Sequence, residues 1–334
     1  MYFISLITKL LHFLPGEVSH HIGLKSLKIL YATGLLKFLI SDNKTSSDKT
    51  IKDLGNLKNK IGIAAGLDKN GDYIDSLAAL GIAFIELGTV TPMAQKGNPK
   101  PRLFRNRKDQ SLLNRLGFNN KGVDYLVRKL KERKSSIIVG TSIGKNFNTP
   151  NQSAYKDYVY CLNKVYKYSD YIAVNISSPN TKNLRDLSNI NHFTLLLNRL
   201  KLKQTELAKL HGYKPIFIKI SPDEELDNLK EICELIIENK LDGIICGNTT
   251  IDHDHNKGLG GLSGAPLKEK AISVLRFVKS VVGDKLTIIA SGGVMTLSDY
   301  NERLLVGADL VQIYTGFIYE GPKLIQDILK HSSD

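Results

Sequence analysis

The sequence predicts an α/β protein, a (β/α)8 barrel with a short N-terminal helical extension. Eight short apolar stretches alternate with amphipathic segments, and small or polar residues follow nearly every apolar stretch. A barrel of this type needs roughly 250 residues. The 334 residues of the chain therefore leave room for an extension, and a hydrophobic content of 42% is sufficient for a large core.

The eight apolar stretches have the length and apolar character of buried strands. They are Ile61–Ala65, Phe84–Leu87, Ser136–Ile143, Tyr171–Ile176, Ile216–Ile220, Gly243–Cys246, Thr287–Ala290 and Leu310–Ile313. Helices are predicted between them, for example over Gln152–Tyr168, Phe193–Leu210 and Asp223–Asn239. A doubly wound sheet would carry a GxGxxG turn after its first strand. The turn here is AAGLDKNG, residues 64–71, so the barrel is favoured.

Residues 1–40 differ from the rest of the chain and predict two short amphipathic helices. An apolar stripe at helical spacing is broken at Pro15, and a second helix is predicted to follow. Residues 41–59 are mostly polar and predict a linker. The barrel domain is therefore expected to occupy residues 60–334.

The apolar stripe of the first 40 residues has two explanations. It fits a monotopic contact with a membrane surface, and it equally fits a helical cap packed on the main domain. No apolar run reaches the ~18–20 residues needed to span a bilayer. A signal peptide is disfavoured because no small-residue cleavage site is evident.

Charge and cysteine content argue against several function classes. The net charge is +13, but lysines are spread along the chain without aromatic residues in a basic cluster, so nucleic-acid binding is not expected. Cys161, Cys233 and Cys246 form no CxxC, which disfavours a disulfide framework or structural zinc and indicates a reducing compartment. His253 and His255 lie in a glycine-rich loop, so no metal site is predicted.

The segment NISSPNT, residues 175–181, is the most informative motif of the chain. It follows a predicted strand, and functional residues of such barrels lie at the C-terminal ends of strands. Asn175 and Asn180 offer donors and acceptors to a planar imide or amide ring. Ser177 or Ser178 could move a proton. The motif therefore predicts a pocket for a small polar heterocycle, with acid–base chemistry.

Other predicted strand ends suggest an anionic ligand. SGGV, residues 291–294, and YTG, residues 314–316, each precede a predicted helix and expose backbone N–H groups, which favours phosphate. Lys219 ends an apolar strand, where lysine is rarely left without a partner. It is either half of a structural ion pair or a cation beside a group that becomes negative on reduction, such as a flavin. Lys69 could serve a substrate carboxylate.

Together these motifs resemble the dihydroorotate dehydrogenases, the flavin enzymes of pyrimidine synthesis, and in particular their membrane-associated, quinone-linked class. The segments that carry the resemblance are AAGLDKNG, ELGTVTP, GNPKPRLFR, NRLGFNN, IGKN, NISSPNT, GLSGAPL, SGGV and LVQIYTGF. The resemblance implies oxidation of (S)-dihydroorotate to orotate in UMP synthesis, with FMN as cofactor and a membrane quinone as acceptor. It also implies peripheral contact through residues 1–40 at the cytoplasmic face of the cell membrane.

The resemblance implies roles for individual residues. Ser178 would be the catalytic base, taking the C5 proton while a hydride leaves C6 for the flavin. The implied substrate contacts are Lys69, Asn114, Arg115, Leu116, Gly117, Phe118, Asn175, Asn180, Asn248 and Thr249. The implied FMN contacts are Ala65, Gly66, Leu67, Asp68, Lys69, Thr89, Ser142, Asn175, Lys219, Gly264, Gly293, Tyr314 and Thr315. His20 and Arg105 fall where the family places its quinone tunnel.

Two positions near the expected flavin site differ from the family pattern. Ser142 stands where the family usually has an asparagine facing the flavin, and Gly247 stands where a threonine is usual. Both changes shrink a side chain near the flavin, so either FMN binding is weaker or backbone and water substitute.

No histidine lies near Ser178 in sequence, so a proton relay through water or a hydroxyl is expected, for example that of Thr181. The related soluble class uses cysteine as base, so the serine favours the quinone-linked class.

Two alternatives remain open at this point. A flavin barrel acting on tRNA uridine would suit the positive charge, but such enzymes use a cysteine that no strand-end loop supplies here. A non-catalytic membrane-surface module would explain residues 1–40 but not eight polar strand ends. For the quinone-linked enzyme, removal of residues 1–40 is expected to leave flavin reduction intact and to damage quinone turnover. Neither the oligomeric state nor the preferred quinone follows from the sequence.

Overall fold

All eight predicted strands are present in the computed structural model, which describes residues 8, 10–39, 49–51, 54–181, 184–254 and 258–331. In chain order the strands are β1 (Lys49–Ile51), β2 (Gly55–Leu57), β3 (Ile61–Ile63), β4 (Phe84–Val90), β5 (Leu103–Asn106), β6 (Ser111–Asn114), β7 (Ile138–Ile143), β8 (Tyr171–Asn175), β9 (Ile216–Ile220), β10 (Gly243–Cys246), β11 (Gly261–Gly264), β12 (Thr287–Ser291) and β13 (Leu310–Ile313). The parallel strands β3, β4, β7, β8, β9, β10, β12 and β13 form a closed barrel in that order. The predicted barrel is therefore confirmed.

Aromatic side chains fill the N-terminal end of the barrel. Each lies directly across from a glycine on the neighbouring strand, and the pairs are Phe84 with Gly62, Tyr171 with Gly140, and Phe217 with Gly243. A Cβ atom on Gly140 would lie 1.9 Å from the Tyr171 ring, so the aromatic ring occupies space that only glycine leaves open. Because this end is packed with side chains, a ligand can enter only from the C-terminal end.

Helices cover the outside of the barrel, and the helices predicted between the strands are present. Their bounds are Gly16–Ala32, Leu36–Leu39, Ile74–Ala78, Val123–Glu132, Ala154–Val165, Ile190–His211, Leu226–Glu238, Lys268–Val282, Leu297–Val306, Thr315–Glu320 and Pro322–His331. The helix predicted from Asp223 begins at Leu226, because the Asp223 carboxylate pairs with Arg185 and Lys270 in the loop before it.

Two small antiparallel sheets accompany the barrel. Strands β5, β6 and β11 form one of them, and its residues reach the C-terminal end of the barrel. The second is the hairpin β1–β2, which lies in the segment predicted as a linker. Leu54 and Leu57 are buried against Phe84 and Tyr171, so this segment packs on the barrel floor. The linker prediction missed these two leucines within a polar stretch.

The N-terminal helix Gly16–Ala32 packs on the barrel close to β5. A Cβ atom on Gly16 would lie 2.8 Å from the carbonyl oxygen of Leu103, so glycine permits this close approach. Pro15 is the N-cap residue, as the predicted break requires. Most of the first predicted helix lies outside the described residues. Among the residues that the structure describes, no helix has the length and apolarity to cross a bilayer.

Candidate active site

An open cavity of about 1040 Å³ lies at the C-terminal end of the barrel. Most of the predicted site residues line it: Ala65, Gly66, Lys69, Thr89, Asn114, Leu116, Gly117, Phe118, Asn175, Ser178, Asn180, Lys219, Asn248, Thr249, Gly264, Gly293, Tyr314 and Thr315.

Four asparagine amides line the cavity in two hydrogen-bonded pairs. Asn180 donates from Nδ2 to Oδ1 of Asn114 at 2.9 Å. Asn248 donates from Nδ2 to Oδ1 of Asn175 at 3.5 Å, and Asn175 in turn donates to Oγ1 of Thr89 at 2.9 Å. These contacts fix which end of each amide donates and which accepts. The wall therefore offers a pre-set pattern to a planar polar ring.

The structure distinguishes the two neighbouring serines of the NISSPNT segment. Ser177 is buried, and its Oγ bridges Oδ1 of Asn175 at 3.3 Å and Nδ2 of Asn248 at 2.9 Å. Ser178 lines the cavity and accepts a hydrogen bond from the backbone N–H of Asn180 at 3.3 Å. Ser177 thus orients the amides, whereas Ser178 faces the cavity. The buried Oγ1 of Thr181, in the same segment, has no hydrogen-bond partner among the residues that the structure describes.

Lys69 lines the cavity, and the pKa of its amine lies well below the ordinary value of a lysine. Its Nζ donates to Oδ1 of Asn119 at 2.9 Å. Burial lowers the pKa of Lys69 to about 7, and the nearby charge of Arg102 adds to this lowering while Glu17 opposes it. Because a bound anion favours the protonated amine, Lys69 is suited to hold a carboxylate.

A buried polar cluster forms the floor of the cavity. Lys219 pairs with Glu86 at 3.2 Å, and their side chains are 6% and 0% exposed. Nε2 of Gln312 donates to the other carboxylate oxygen of Glu86 at 2.7 Å. Oε1 of Gln312, which also lines the cavity, is buried without a partner. Both roles predicted for Lys219 are therefore compatible with its position, because Lys219 forms an ion pair and also lines the cavity.

The glycine-rich loops at strands β11, β12 and β13 form one side of the cavity. Gly293 has φ +69°, and a Cβ atom there would lie 2.4 Å from Cα of Lys268, so only glycine fits. Arg303, which is fully buried, donates to the carbonyl oxygens of Lys268 at 3.1 Å and Gly292 at 3.3 Å. These contacts fix the conformation of the loop at the position where the sequence predicts a phosphate site.

Comparison with known proteins identifies the family. The family model for dihydroorotate dehydrogenase matches residues 49–333. A dihydroorotate dehydrogenase (quinone) of Neisseria meningitidis serogroup B is 46% identical over 330 residues, which cover 96% of this chain and 97% of that protein. The chain belongs to the dihydroorotate dehydrogenase family.

Further matches agree with this family. A dihydroorotate dehydrogenase (quinone) of Buchnera aphidicola is 45% identical over 337 residues, covering 98% of this chain and 99% of that protein. The crystal structure of DHODH from Eimeria tenella in complex with ferulenol has a TM-score of 0.86 and 30% identity, covering 94% of this chain and 89% of that one. The predicted family and the predicted enzyme class are therefore confirmed, and membership implies a flavin cofactor.

The alternatives raised from the sequence are not supported. All three cysteines are buried away from the cavity, and burial raises the pKa of each thiol. A proton donor of the tRNA-uridine type is therefore absent from the cavity wall as the structure describes it. A non-catalytic module does not fit a full-length match to an enzyme family.

Four residues predicted from the family resemblance do not line the cavity. Leu67 belongs to the core. Asp68 is buried with the backbone N–H groups of the 72–73 turn as donors, and burial raises its pKa to about 6. Ser142 is fully buried and hydrogen-bonds Thr89 at 2.8 Å. The guanidinium of Arg115 turns away and donates to the carbonyl oxygen of Pro101 at 3.0 Å.

Several residues of the cavity wall were not singled out from the sequence. They are Ala64, Leu103, Leu112, Ser263, Leu267 and Val294, together with Gln312. A signal for Gln312 existed, since it is the one polar residue within the apolar strand Leu310–Ile313. Most of the others lie within segments that carry the family resemblance, but no individual role was predicted for them.

A second cavity, of about 1270 Å³, lies between the helix Gly16–Ala32 and the helix Thr315–Glu320. His20 lines it, and burial lowers the pKa of His20 to about 4. Its Nδ1 is buried without a hydrogen-bond partner. Arg105, the other residue predicted for a quinone site, does not line this cavity. Its guanidinium donates to Oγ of Ser19, and Ser19 does line the cavity.

Gly247, where the family usually has threonine, has a backbone that excludes a larger residue. Its φ is +119°, and a Cβ atom would lie 2.1 Å from the carbonyl oxygen of Ser291. The glycine is therefore required by the local conformation and is not merely a missing side chain. For Ser142, the hydroxyl contact with Thr89 replaces any contact that a longer amide would make.

Proposed function

We propose that this chain oxidises (S)-dihydroorotate to orotate and passes the electrons through FMN to a membrane quinone. The observation that carries the proposal is the single cavity in which Ser178, Lys69 and two pre-oriented asparagine pairs face one another. Dihydroorotate has one carboxylate and a ring of amide and imide groups. A cation and several fixed amides are the complementary set.

Lys69 binds the substrate carboxylate, and the amides of Asn114, Asn175, Asn180 and Asn248 read the ring. Each amide is held by another group of the wall, so little ordering is needed when the ring arrives. This pre-orientation places the ring against Ser178. It also explains why amides dominate a wall that must accept and donate on the same ring edge.

Ser178 takes the proton from C5 of the ring while a hydride leaves C6. The serine hydroxyl is a weak base, so its own proton must move on as the new one arrives. A relay through water or a neighbouring hydroxyl, such as that of Thr181 in the same segment, would carry this proton to solvent water.

The residues of the cavity floor and the glycine-rich side fit FMN. When bound, FMN supplies the hydride acceptor of the reaction. Lys219 provides the positive charge that a reduced flavin ring needs near it, and the unpartnered Oε1 of Gln312 can accept a hydrogen bond. Gly264, Gly293 and Thr315 would hold the phosphate, with Ser263 orienting Thr315 through a 2.8 Å hydrogen bond.

The second cavity is the proposed quinone site. The Nδ1 atom of neutral His20 can donate to a quinone oxygen when it carries the ring proton and can accept from a quinol hydroxyl when it does not. Arg105 supports the wall through Ser19. Exposed apolar side chains near this cavity, such as Phe13 (74% exposed) and Phe38 (85% exposed), support peripheral contact with the cytoplasmic face of the cell membrane.

The decisive experiment is anaerobic reduction of the flavin-loaded protein. Dihydroorotate is expected to bleach the flavin absorbance, and a quinone is expected to restore it faster than fumarate or NAD⁺. A flavin that stays oxidised with dihydroorotate contradicts the proposal. Faster reoxidation by fumarate or NAD⁺ would contradict the assignment of the acceptor.

A further inference from the structure

The helix Gly16–Ala32 is tied to the substrate wall through one buried arginine. Arg102 is 6% exposed and donates to Oε1 of Glu17 from Nε at 3.1 Å and from Nη2 at 3.0 Å. Its Nη1 donates to the carbonyl oxygens of Lys96 at 2.6 Å and Asn98 at 2.9 Å. One guanidinium thus connects the helix that lines the second cavity to the loop over residues 96–98.

That loop in turn holds the substrate wall. Nδ2 of Asn98 donates to the carbonyl oxygens of Arg115 at 3.0 Å and Asn180 at 3.2 Å. The backbone N–H of Asn98 donates to the carbonyl oxygen of Leu116 at 3.1 Å. Both chain segments that carry the asparagine pair of residues 114 and 180 are therefore anchored on a loop that Arg102 fixes.

We infer that Glu17 is a positioning residue for the substrate site, although it lies on the helix of the quinone cavity and acts through Arg102 and Asn98. The inference rests on the proposed function. An unpaired buried guanidinium is costly, so loss of the Glu17 carboxylate should displace Arg102 and loosen the 96–98 loop. The substrate half of the reaction would then depend on the N-terminal segment.

Charge provides a second route between the same residues. Arg102 disfavours the protonated form of Lys69 and Glu17 favours it. His20, on the same helix, is neutral above pH 6 because burial lowers its pKa to about 4. Asp68, next to Lys69, is engaged by backbone N–H groups. Removing the Glu17 charge should therefore make Lys69 lose its proton at a lower pH.

The test is orotate binding to flavin-loaded, oxidised enzyme from pH 6 to pH 8.5, followed by the change in flavin absorbance. For Glu17→Gln, we expect the pH midpoint of binding to fall by about half a unit or more, as expected for one charge at partial screening. Flavin reduction by dihydroorotate without quinone should also slow. Glu17→Asp keeps the charge and should restore the midpoint.

Lys28→Met is the matched control. Lys28 ties the same helix to the barrel through the carbonyl oxygen of Asp72 at 2.9 Å and does not contact Arg102. Lys28→Met should leave the pH midpoint of orotate binding unchanged. Equal midpoints for the parent chain and Glu17→Gln would overturn the inference. Absence of orotate binding in the parent chain as well would instead overturn the proposed function.

The inference changes what truncation should do. The sequence predicts that removal of residues 1–40 leaves flavin reduction intact. If Glu17 positions Arg102, the truncated enzyme must share the lowered pH midpoint of Glu17→Gln. A truncated enzyme with a parental midpoint and a parental reduction rate would contradict this dependence.

Discussion

Replacing Lys219 with methionine separates its structural role from its role beside the flavin. Methionine fills similar space but leaves the fully buried carboxylate of Glu86 with neutral donors, the amide of Gln312 and the hydroxyl of Tyr171, among the contacts described. Breaking a buried ion pair on one side costs about 3–5 kcal/mol. For a chain of 334 residues, an unfolding entropy of about 2.1 cal/mol/K per residue makes 1 kcal/mol correspond to about 1.4 °C of melting temperature, so Lys219→Met should melt about 4–7 °C lower.

The loss of stability in Lys219→Met should depend on pH in a defined direction. In Lys219→Met, the buried carboxyl of Glu86 has lost its cation, so its folded-state pKa must rise above the unfolded value of about 4.3. The loss of stability is then absent below the pKa that the Glu86 carboxyl has in the unfolded chain. It grows as the pH rises towards the pKa that this carboxyl has in the folded variant. Flavin-free protein should therefore lose more stability at pH 8 than at pH 5.

The double variant Lys219→Met/Glu86→Gln is the control. Glutamine is neutral and can still accept the hydrogen bond from Gln312, so most of the lost stability should return. Flavin binding should not return, because the cation is still missing. Melting of flavin-free protein and flavin titration by fluorescence measure the two effects separately. A double variant as unstable as Lys219→Met would refute the ion-pair argument, and one with parental flavin affinity would refute the cofactor role.

Three other perturbations have defined outcomes. Ser178→Ala should lower the rate of flavin reduction by about 10²–10⁴ while FMN remains bound; a near-parental rate would exclude Ser178 as the base. Orotate binding should weaken as the pH rises through about 7, since Lys69 then loses the proton that pairs with the carboxylate, and Lys69→Met should remove this dependence. Gly247→Ala should lower the melting temperature, because φ is +119° and a Cβ meets the carbonyl oxygen of Ser291; Gly283→Ala, with φ +55° and no atom within 4 Å, is the control for backbone strain alone.

The barrel was predictable because its strands are short, apolar and separated by helices of regular periodicity. Strands β9, β10 and β13 begin and end at the predicted residues. The hairpin β1–β2 was not predictable, since Leu54 and Leu57, which the structure shows to be buried, stand in polar surroundings in the sequence. Periodicity carries little information in segments of three residues.

The candidate site divides in the same way. Residues at strand ends, such as Asn175 and Lys219, were found because the barrel places all strand ends at one mouth. Arg115 was assigned from its neighbours in NRLGFNN, but side-chain direction is set by the contact with Pro101, which no local pattern reveals. Arg102 and Arg303 also escaped notice, since a buried arginine that holds distant carbonyl groups has the same sequence signature as an exposed one.

The turn after β3 shows why neighbouring residues need separate roles. Gly66 and Lys69 line the barrel cavity, whereas Leu67, between them, lines the second cavity. Asp68 turns inward and caps the chain that follows. One short segment therefore contributes a lysine to the first cavity and an apolar side chain to the second. The chain over residues 314–318 does the same, since Tyr314 and Thr315 line the first cavity and Phe317 and Ile318 line the second. The side-chain direction alternates within a few residues in both segments, so a role assigned to one residue of such a turn does not transfer to its neighbour.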